Sequence, residues 1–316
     1  MKSDKGGGQI YVYGPVPSRR LGYSLGVDLL PFKTCSLDCI YCQLGSAGRT
    51  TCERGTFYDK EIILEQIRSV VASGRQIDTI TFSGSGEPTL SALLGELIRD
   101  IKSFTDIPVT VLTNSTLLTR PDVRAELLAA DRIVPSLDAV TQDVFERVNR
   151  PHPSLRIEEI IEGLKAFRSE FKGDIWLEIM LVMGVNDGLN HIRRLKDVIA
   201  EFQPDRVQLN TVVRPPAEAG AQPLSRKALE DIQNIIGGTC EIVADFVRPS
   251  IPGSSSRLQA EILAVVGRRP VTLEDMRVSL ESHRDELLKH LNKLEEEGKI
   301  RRTRHKNKVY YEPVVP

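Results

Sequence analysis

Short apolar runs alternate with amphipathic stretches along the first two thirds of the chain. The apolar runs are GVDLLP (26–31), DTITFS, VTVLTN, RIVPSLD, DIWLEIMLVMG and RVQLNTVV. Between them, apolar residues at helical spacing predict helices at about 59–74, 90–104, 121–130, 141–148, 155–171 and 189–202. Six βα units in succession predict an α/β fold, a partial (β/α)6 barrel whose functional side chains lie at the carboxyl ends of the strands.

The alternation stops at residues 214–225, RPPAEAGAQPLS, which are rich in proline and small residues. One helix (226–236) and one strand (about 240–247) follow, and RPSIPGSSS at 248–256 is typical of a linker. We therefore predict three segments along the chain. They are a barrel at 1–215, a helix–strand extension with its linker at 216–256, and a separate domain at 257–316.

The terminal segment has a different pattern from the barrel. Its apolar spacing predicts three short helices and a hairpin, at about 257–267, 272–280, 283–297 and 299–312. Thr272 with Asp275, and Ser282 with Asp285, have the spacing of residues that begin helices. Three helices followed by a two-stranded hairpin predict a small winged helix-turn-helix domain.

Composition is that of an ordinary globular protein, with 41% hydrophobic and 27% charged residues and a formal net charge of −1. No stretch approaches the roughly 20 apolar residues that span a bilayer, and the amino terminus lacks the apolar core of a secretory signal. We predict a cytoplasmic protein with no membrane partner. The near-zero charge excludes a global attraction to nucleic acid, so such a partner has to bind a local patch.

One candidate patch is the segment KIRRTRHKNK (299–308), which contains six Lys or Arg and no acid. Arg301, Arg302 and Arg304 lie at its centre, and the pattern predicts contacts with phosphate groups. Three acidic residues at 295–297 directly precede the segment, so the basic surface is an edge and not a whole face. A winged helix binds nucleic acid, captures a peptide or serves only a structural purpose, and these alternatives stay open.

Five cysteines are present, and three of them fall within eight residues in the sequence CSLDCIYC. Cys35, Cys39 and Cys42 have the spacing C-x-x-x-C-x-x-C, which is poor for disulfides and good for a metal. Three soft thiolates suit an iron–sulfur cluster with one iron left unligated by protein. The alternatives are a zinc site completed by Cys52 or a histidine, and a four-cysteine cluster that includes Cys52. Cys52 lies too far along the chain for the usual paired spacing.

This spacing, with Tyr41 directly before the last cysteine, resembles the signature of the radical S-adenosylmethionine (SAM) superfamily. The segment FSGSGEPTL, with Gly84, Gly86 and Glu87, resembles the superfamily's Gly-Gly-Glu-type motif. The resemblance implies a 4Fe-4S cluster on which SAM chelates the open iron, and an electron donor such as flavodoxin or ferredoxin. It also implies reductive cleavage of SAM to a 5′-deoxyadenosyl radical that abstracts hydrogen from the substrate.

The same resemblance assigns SAM contacts to polar residues at strand ends. Backbone groups of the glycine motif and the carboxylate of Glu87 are expected to hold the amino group of SAM. Asn114 and Ser136 are expected to contact SAM as well, and Asp138 to face SAM or substrate. The alternative is that such residues satisfy turn hydrogen bonds only.

Longer phrases, among them GPVPSRRLGYSLGVDLLP, PSLDA, NRPHPSL and LNTVVRPPAE, are similar to the wyosine-type tRNA-modifying synthases over roughly residues 10–216. Those synthases carry further amino-terminal cysteines for a second cluster, whereas no cysteine precedes Cys35 here. The resemblance therefore implies modification of RNA, with tRNA as the first candidate, and not the wyosine reaction itself. The alternatives are radical modification of a peptide or protein, and a redox-sensing iron–sulfur regulator that binds DNA. A SAM site at Gly86, Glu87 and Ser136 argues against the regulator.

Substrate contacts are less sharply indicated, and no catalytic side chain is assigned. Arg19, Arg20 and Arg214 adjoin predicted barrel strands. Arginines at these positions bind a carboxylate or phosphate in two-pronged fashion, or form ion pairs at the surface. Anion binding and ion-pair formation remain the two alternatives for these arginines.

Overall fold

The structure is a computed structural model, and it describes residues 10–18, 20–46, 48–243, 258–280, 284–306 and 308–314. The predicted contact of Arg19, the linker at 248–256 and the helix start at Ser282 lie outside the described residues. In the part of the chain that the structure describes, no helix is long and apolar enough to cross a bilayer.

The larger part of the chain is a mixed α/β structure around one eight-stranded sheet, whose strands lie side by side in chain order. These strands are β1 (Val12–Ser18), β2 (Gly22–Val27), β3 (Thr79–Phe82), β4 (Val109–Thr113), β5 (Arg132–Pro135), β6 (Asp174–Leu181), β7 (Arg206–Thr211) and β8 (Cys240–Ile242). Strands β2 to β8 are parallel, and only β1 is antiparallel to its neighbour. The predicted partial barrel is confirmed.

Amphipathic helices connect the parallel strands and pack their apolar sides on the sheet. They are α1 (Lys60–Val71), α2 (Leu94–Lys102), α3 (Pro121–Leu127), α4 (Gln142–Asn149), α5 (Ile157–Glu170), α6 (Leu189–Phe202) and α7 (Arg226–Ile236). Fully buried side chains such as Phe82, Ile98 and Phe167 fill the space between the two layers. Since every parallel strand ends at the same edge of the sheet, the loops that follow the strands meet there.

The amino-terminal part of the sheet differs from the prediction. The strand predicted at 26–31 ends at Val27, because the carboxylate of Asp28 accepts a hydrogen bond from the backbone N–H of Leu30 (3.3 Å) and the chain leaves the sheet. The hairpin partner β1 was not predicted, since its sequence VYGPVPS interrupts the strand pattern with glycine and proline. Strand β8 pairs in parallel with β7 and so continues the sheet beyond residue 215.

Residues 258–314, called here the terminal unit, form three helices and a three-stranded antiparallel sheet. The helices are α8 (Leu258–Val266), α9 (Leu273–Ser279) and α10 (Arg284–Glu296), and the strands are β9 (Val271–Thr272), β10 (Ile300–His305) and β11 (Lys308–Pro313), in the order β10-β11-β9. Thr272 and Asp275 form the predicted capping box at the start of α9. Strand β9, only two residues long, was not predicted.

The terminal unit packs against the barrel. Val16 of β1 belongs to the same buried apolar cluster as Ile262, Met276 and Leu291 of the terminal helices. At a second place, the hydroxyl of Tyr310 donates to the backbone oxygen of Val213, just after β7 (3.1 Å). The terminal unit thus contacts the edge strand β1 and the loop that follows β7.

Candidate active site

The cysteine motif lies in the long loop between β2 and α1, at the carboxyl edge of the sheet. Cys35, Cys39 and Cys42 are partly buried and all line one cavity of about 400 Å³, called here the main cavity. A turn in which the N–H of Cys42 donates to the oxygen of Cys39 (3.0 Å) brings the last two cysteines together. Three thiols therefore face a single space at the mouth of the barrel.

The donor set fits an iron–sulfur cluster better than a single metal ion. Among the described residues, no three His, Cys, Asp or Glu side chains converge where one ion would bind. A cluster needs thiolates around its periphery, because each one binds a different iron. Cys52 does not line the cavity, and its sulfur accepts only a weak contact from the Ser154 hydroxyl (4.0 Å). This arrangement favours the three-cysteine interpretation over both alternatives with Cys52.

Two asparagine side chains donate to the cysteine sulfurs. The Nδ2 of Asn114 lies 3.4 Å from the Sγ of Cys35, and the Nδ2 of Asn149 lies 3.3 Å from the Sγ of Cys39. Burial raises the pKa of Cys35 to about 12 and also raises that of Cys39. Metal cations reverse this effect by binding the thiolate form, and the amide donors stabilise the same form.

Glycine is required where the turn after β3 meets the cysteine loop. A Cβ on Gly86 would lie 1.9 Å from the backbone oxygen of Thr34, which also accepts a hydrogen bond from the N–H of Glu87 (3.0 Å). Gly84 has φ +145°, and a Cβ there would lie 2.5 Å from the carboxyl carbon of Asp28. Both glycines line the main cavity. The glycine motif thus lets this turn lie directly beside Cys35.

The carboxylate of Glu87 lies outside the cavity, although the sequence predicted that it contacts SAM. It is 2% exposed and lines neither of the two cavities at this end of the barrel. Its Oε1 accepts hydrogen bonds from the N–H and hydroxyl of Thr89 and from the hydroxyl of Thr113, and its Oε2 accepts from the N–H of Asn114 (2.6 Å). These bonds tie the turn after β3 to the end of β4. The carboxylate of Glu87 thus has a structural role, and its contact with SAM stays a prediction.

Asp138 is the centre of a buried polar network behind the cysteine loop. Its carboxylate accepts hydrogen bonds from the hydroxyl of Tyr41, the Nδ2 of Asn149 (2.8 Å) and the N–H of Met180 (2.8 Å). Burial raises the pKa of Asp138 to about 6, although these three donors lower it. The network holds the ring of Tyr41, and with it the last turn of the cysteine motif, against the end of β5.

The predicted strand-end residues divide between two adjoining cavities. Ser136 and Tyr41 line both the main cavity and a second, smaller cavity of about 50 Å³. Asn114 and Asp138 line only the second cavity, where their side chains are bonded to protein atoms. Of the polar strand-end residues predicted to contact SAM, Ser136 alone lines the main cavity.

A scan against family models matches residues 29–195 to a family described as "Radical SAM superfamily". The chain belongs to the radical SAM superfamily. The 4Fe-4S cluster and S-adenosylmethionine, expected from the resemblance of the cysteine motif, are the cofactors that this superfamily uses. The protein is therefore an enzyme, as predicted, and the match leaves its reaction open.

Curated relatives extend the similarity over nearly the whole radical SAM chain. The UPF0026 protein of Methanocaldococcus jannaschii is 33% identical over 95% of this chain and 94% of its own length. A protein of Brachyspira hyodysenteriae named GTPase Obg is 37% identical over 92% of this chain, which spans only 43% of that longer protein. The dual-specificity RNA methyltransferase RlmN of Nitratidesulfovibrio vulgaris is 26% identical over 57% of this chain and 53% of its own length.

Among solved structures, TYW1 with a lysine-pyruvate adduct superposes with a TM-score of 0.53 at 18% identity. The match covers 71% of this chain and 75% of that one. At this identity the likeness concerns the fold alone, and it agrees with the partial barrel described above.

Two of the predicted arginines, Arg20 and Arg214, line the remaining wall of the main cavity. Arg20 forms a two-pronged ion pair with Glu178 (2.7 and 2.8 Å), and Asn210 donates to the same carboxylate (3.0 Å). Arg214 lines the cavity and donates to the side-chain oxygen of Gln43, next to Cys42 (3.3 Å). Arg20 therefore forms an ion pair, one of its two predicted roles, whereas Arg214 keeps its place at the cavity.

The basic hairpin (299–312) lies outside the cavity, and its arginines are exposed. Arg301 pairs with Glu312 (2.8 Å), and Arg302 pairs with Glu295 (2.8 Å). Among the described residues, Arg304 has no such carboxylate partner. These three residues are thus unequal as candidates for a phosphate contact.

Three residues of the site were not found from the sequence. Asn149 lies in the phrase NRPHPSL, but its position at the end of a helix gives no signal for a contact with Cys39. Arg268 and Arg269 of the terminal unit line the same cavity as the cysteines. Their adjacency in the sequence was the only available signal, and no local pattern connects them to the barrel.

Proposed function

We propose that this radical SAM enzyme modifies RNA, with tRNA as the first candidate, and that its terminal unit presents the RNA to the main cavity. The single observation that carries this proposal is the cavity itself. It is lined by the three cysteines, by the glycine turn and by arginines of the terminal unit. A barrel that acted on a small molecule alone has no need of cationic side chains from a second unit at its mouth.

Within this proposal, Cys35, Cys39 and Cys42 hold the cluster. The cluster, when bound, supplies the electron that cleaves SAM. The backbone at Gly84 and Gly86 and the hydroxyl of Ser136 are proposed to bind SAM, since they line the main cavity beside Cys35. Apolar side chains of Leu37, Leu44 and Met180 line the same space and exclude water from a reactive radical.

The buried polar residues have supporting roles. Asn114 and Asn149 stabilise the cysteine sulfurs through their amide N–H groups, and Glu87 and Asp138 fix the loops that carry them. None of these four residues lines the main cavity. We assign them to positioning the cofactors and not to contact with the substrate.

The RNA assignment rests on the terminal unit and on one relative. The unit has the helix, strand, helix, helix and hairpin order of a winged helix, and we propose that residues 257–316 form such a domain after a barrel at 1–215 and an extension at 216–256. Its exposed residues Arg304, Lys306 and Lys308 supply charges for phosphate contact. RlmN, a relative over half of the chain, is an RNA methyltransferase by name.

The test is the anaerobic formation of 5′-deoxyadenosine by reconstituted protein with SAM and a reductant, in the presence and absence of total tRNA. We expect formation that increases with tRNA and that Cys39→Ala abolishes. Cys52→Ala is the matched control, and it should retain activity because Cys52 does not line the cavity.

Three outcomes contradict the proposal or a part of it. Product formation that depends on Cys39 but is indifferent to tRNA points to a peptide or protein substrate. Binding to a defined DNA site without any SAM cleavage identifies an iron–sulfur regulator instead. Loss of activity in Cys52→Ala overturns the three-cysteine assignment.

A further inference from the structure

Arg268 lies just after α8 of the terminal unit, and its side chain reaches the barrel. The guanidinium donates to the backbone oxygen of Ala264 in α8 (2.7 Å) and to that of Ile10, ahead of β1 (2.7 Å). It also lies over the ring of Tyr13 in β1, 4.8 Å from the ring centre. These contacts come from both parts of the chain and hold the side chain in one orientation.

The same guanidinium forms an ion pair with Asp28. The Nε of Arg268 lies 3.3 Å from the Oδ2 of Asp28, and the two side chains are only 13% and 6% exposed. Burial raises the pKa of Asp28 above its ordinary value, and the charge of Arg268 is the largest effect that opposes this rise. A buried carboxylate is costly unless it is paired and hydrogen-bonded. The terminal unit thus supplies a counter-ion for a carboxylate of the barrel.

Asp28 joins the start of the cysteine loop to the glycine turn. It directly follows β2, and its Oδ1 accepts from the N–H of Leu30 in the cysteine loop (3.3 Å). Its Oδ2 accepts from the N–H (3.1 Å) and the hydroxyl (2.6 Å) of Ser85, the residue between Gly84 and Gly86. One carboxylate therefore holds together two segments to which we assign cofactor binding.

A second contact connects the same arginine to the glycine turn. The hydroxyl of Tyr13, whose ring lies under Arg268, is hydrogen-bonded to the hydroxyl of Ser83 (3.0 Å). Ser83 directly precedes Gly84, and all four residues line the main cavity. Asp28 and Ser85 do not line it and support the turn from behind. The turn is therefore connected to Arg268 on both sides of Gly84.

We propose that Arg268 is a positioning residue of the SAM site, which holds the carboxylate of Asp28 in place and thereby fixes the glycine turn in the geometry that binds SAM. The terminal unit then completes the cofactor site besides presenting a substrate. This inference rests on the proposed binding of SAM at Gly84 and Gly86, and it is independent of the RNA assignment. A turn that is already fixed loses less conformational freedom when its ligand binds, so the affinity is higher.

The test measures the dissociation constant for SAM by equilibrium dialysis. It uses the full-length, cluster-loaded protein under anaerobic conditions without reductant, so that SAM is not cleaved. For Arg268→Gln we expect the dissociation constant to rise about tenfold, as for the loss of one charged hydrogen bond. Arg268→Lys keeps the charge and should recover most of the affinity. Iron content and thermal unfolding show whether each variant is loaded and folded.

Arg75→Gln is the matched control, because Arg75 ties the same two parts of the chain together without reaching Asp28. Its guanidinium donates to the backbone oxygen of Gly14 in β1 (3.1 Å) and to that of Ser279 in α9 (3.3 Å). We expect Arg75→Gln to lower the melting temperature and to leave the dissociation constant for SAM unchanged. The control separates a weaker contact between the two parts from the loss of the counter-ion.

A double-mutant cycle tests whether Arg268 acts through Asp28. Asp28→Asn keeps the size of the side chain and removes the charge that the arginine balances. The double variant Asp28→Asn/Arg268→Gln should bind SAM about as weakly as Asp28→Asn, because residues that act through one contact give non-additive effects. Fully additive losses would contradict the proposal. If Asp28→Asn does not fold, the two Arg268 variants and Arg75→Gln decide the question by themselves.

The contrary outcomes are distinct from one another. If Arg268→Gln binds SAM like the unaltered protein, the positioning role is wrong and the proposed function stands. If Arg75→Gln or Arg268→Lys weakens SAM binding as much as Arg268→Gln does, the charge of Arg268 is not responsible and the proposal is again wrong. If the unaltered protein binds no SAM, the proposed function itself is overturned.

Discussion

The two sides of the main cavity are built in different ways. On the cysteine side, Asn149, Asp138 and Glu87 are almost fully buried and their side chains are bonded to protein atoms. On the side of the terminal unit, Arg214 and Arg269 are partly exposed, and both interact electrostatically with the carboxyl of Asp275. The first side is preorganised, which suits a cofactor that has to be held in one geometry. The second leaves cationic side chains partly exposed at the cavity.

The largest effect expected on the cysteine side is that of Asp138→Ala. The change leaves the hydroxyl of Tyr41, the amide of Asn149 and the N–H of Met180 without their shared acceptor. Buried donors left unpaired cost about 1–3 kcal/mol each, so we expect the free energy of unfolding to fall by about 3 kcal/mol or more. Urea unfolding of the protein measures it. The control is Asp197→Ala, at an exposed position on α6, which should leave the free energy of unfolding unchanged. Equal stability of the two variants would contradict a stabilising role of the network around Asp138.

A smaller effect is expected for Glu87→Gln. The amide keeps one oxygen but directs its NH2 group at the N–H of Asn114 or at the three donors on the other side. We expect a loss of about 2 kcal/mol in the free energy of unfolding, because one buried hydrogen bond is lost and a donor faces a donor.

The same variant separates the structural role of Glu87 from a SAM contact. With the structural role, the dissociation constant for SAM in the folded variant stays close to that of the unaltered protein. A large increase in that constant without a loss of stability would restore the contact with SAM that the sequence predicted. Glu159→Gln, on the exposed side of α5, is the matched control.

Asn149→Ala tests the hydrogen bond to the sulfur of Cys39. Without this donor the more negative, reduced cluster loses a stabilising contact, so its reduction potential should become more negative. One hydrogen bond of about 1 kcal/mol corresponds to roughly 40 mV for a one-electron couple. Potentiometric titration followed by electron paramagnetic resonance measures the shift. An unchanged potential would show that Asn149 only holds the loop in place. The control is Asn190→Ala, on the exposed side of α6, which should leave the potential unaltered.

The smallest effect is expected for the exposed basic hairpin (299–312) of the terminal unit. Arg304→Gln should weaken RNA binding about threefold, a typical loss for one exposed phosphate contact. Arg301→Gln should change it less, because Arg301 is already paired with Glu312. Anisotropy titrations at one salt concentration compare the two. A greater effect of Arg301 would show that the ion pairs of the hairpin open when RNA binds.

Much of the architecture can be predicted from the local spacing of apolar residues. The helices at α2, α5, α6 and α7 begin and end within a few residues of their predicted bounds, because each carries a strong apolar stripe. The hairpin strand β1 was not predicted, because glycine and proline interrupt its strand pattern. It becomes a strand by pairing with β2, and that pairing cannot be seen in the local sequence. Strand β8 shows the same limit: three residues become part of the barrel sheet only through β7.

The sequence by itself determined the cysteine motif and the glycine turn, because these depend on residue type at short, fixed spacing, and the cofactors followed from the family that these motifs resemble. Tertiary structure decided which polar residues reach the cavity. It turned the carboxylate of Glu87 inward, placed Asn149 beside Cys39 and brought Arg269 to Arg214 across more than fifty residues of chain. The physical reason is that burial, hydrogen bonds and charge pairs join residues that are distant in sequence, and no local pattern records which partner each side chain will meet.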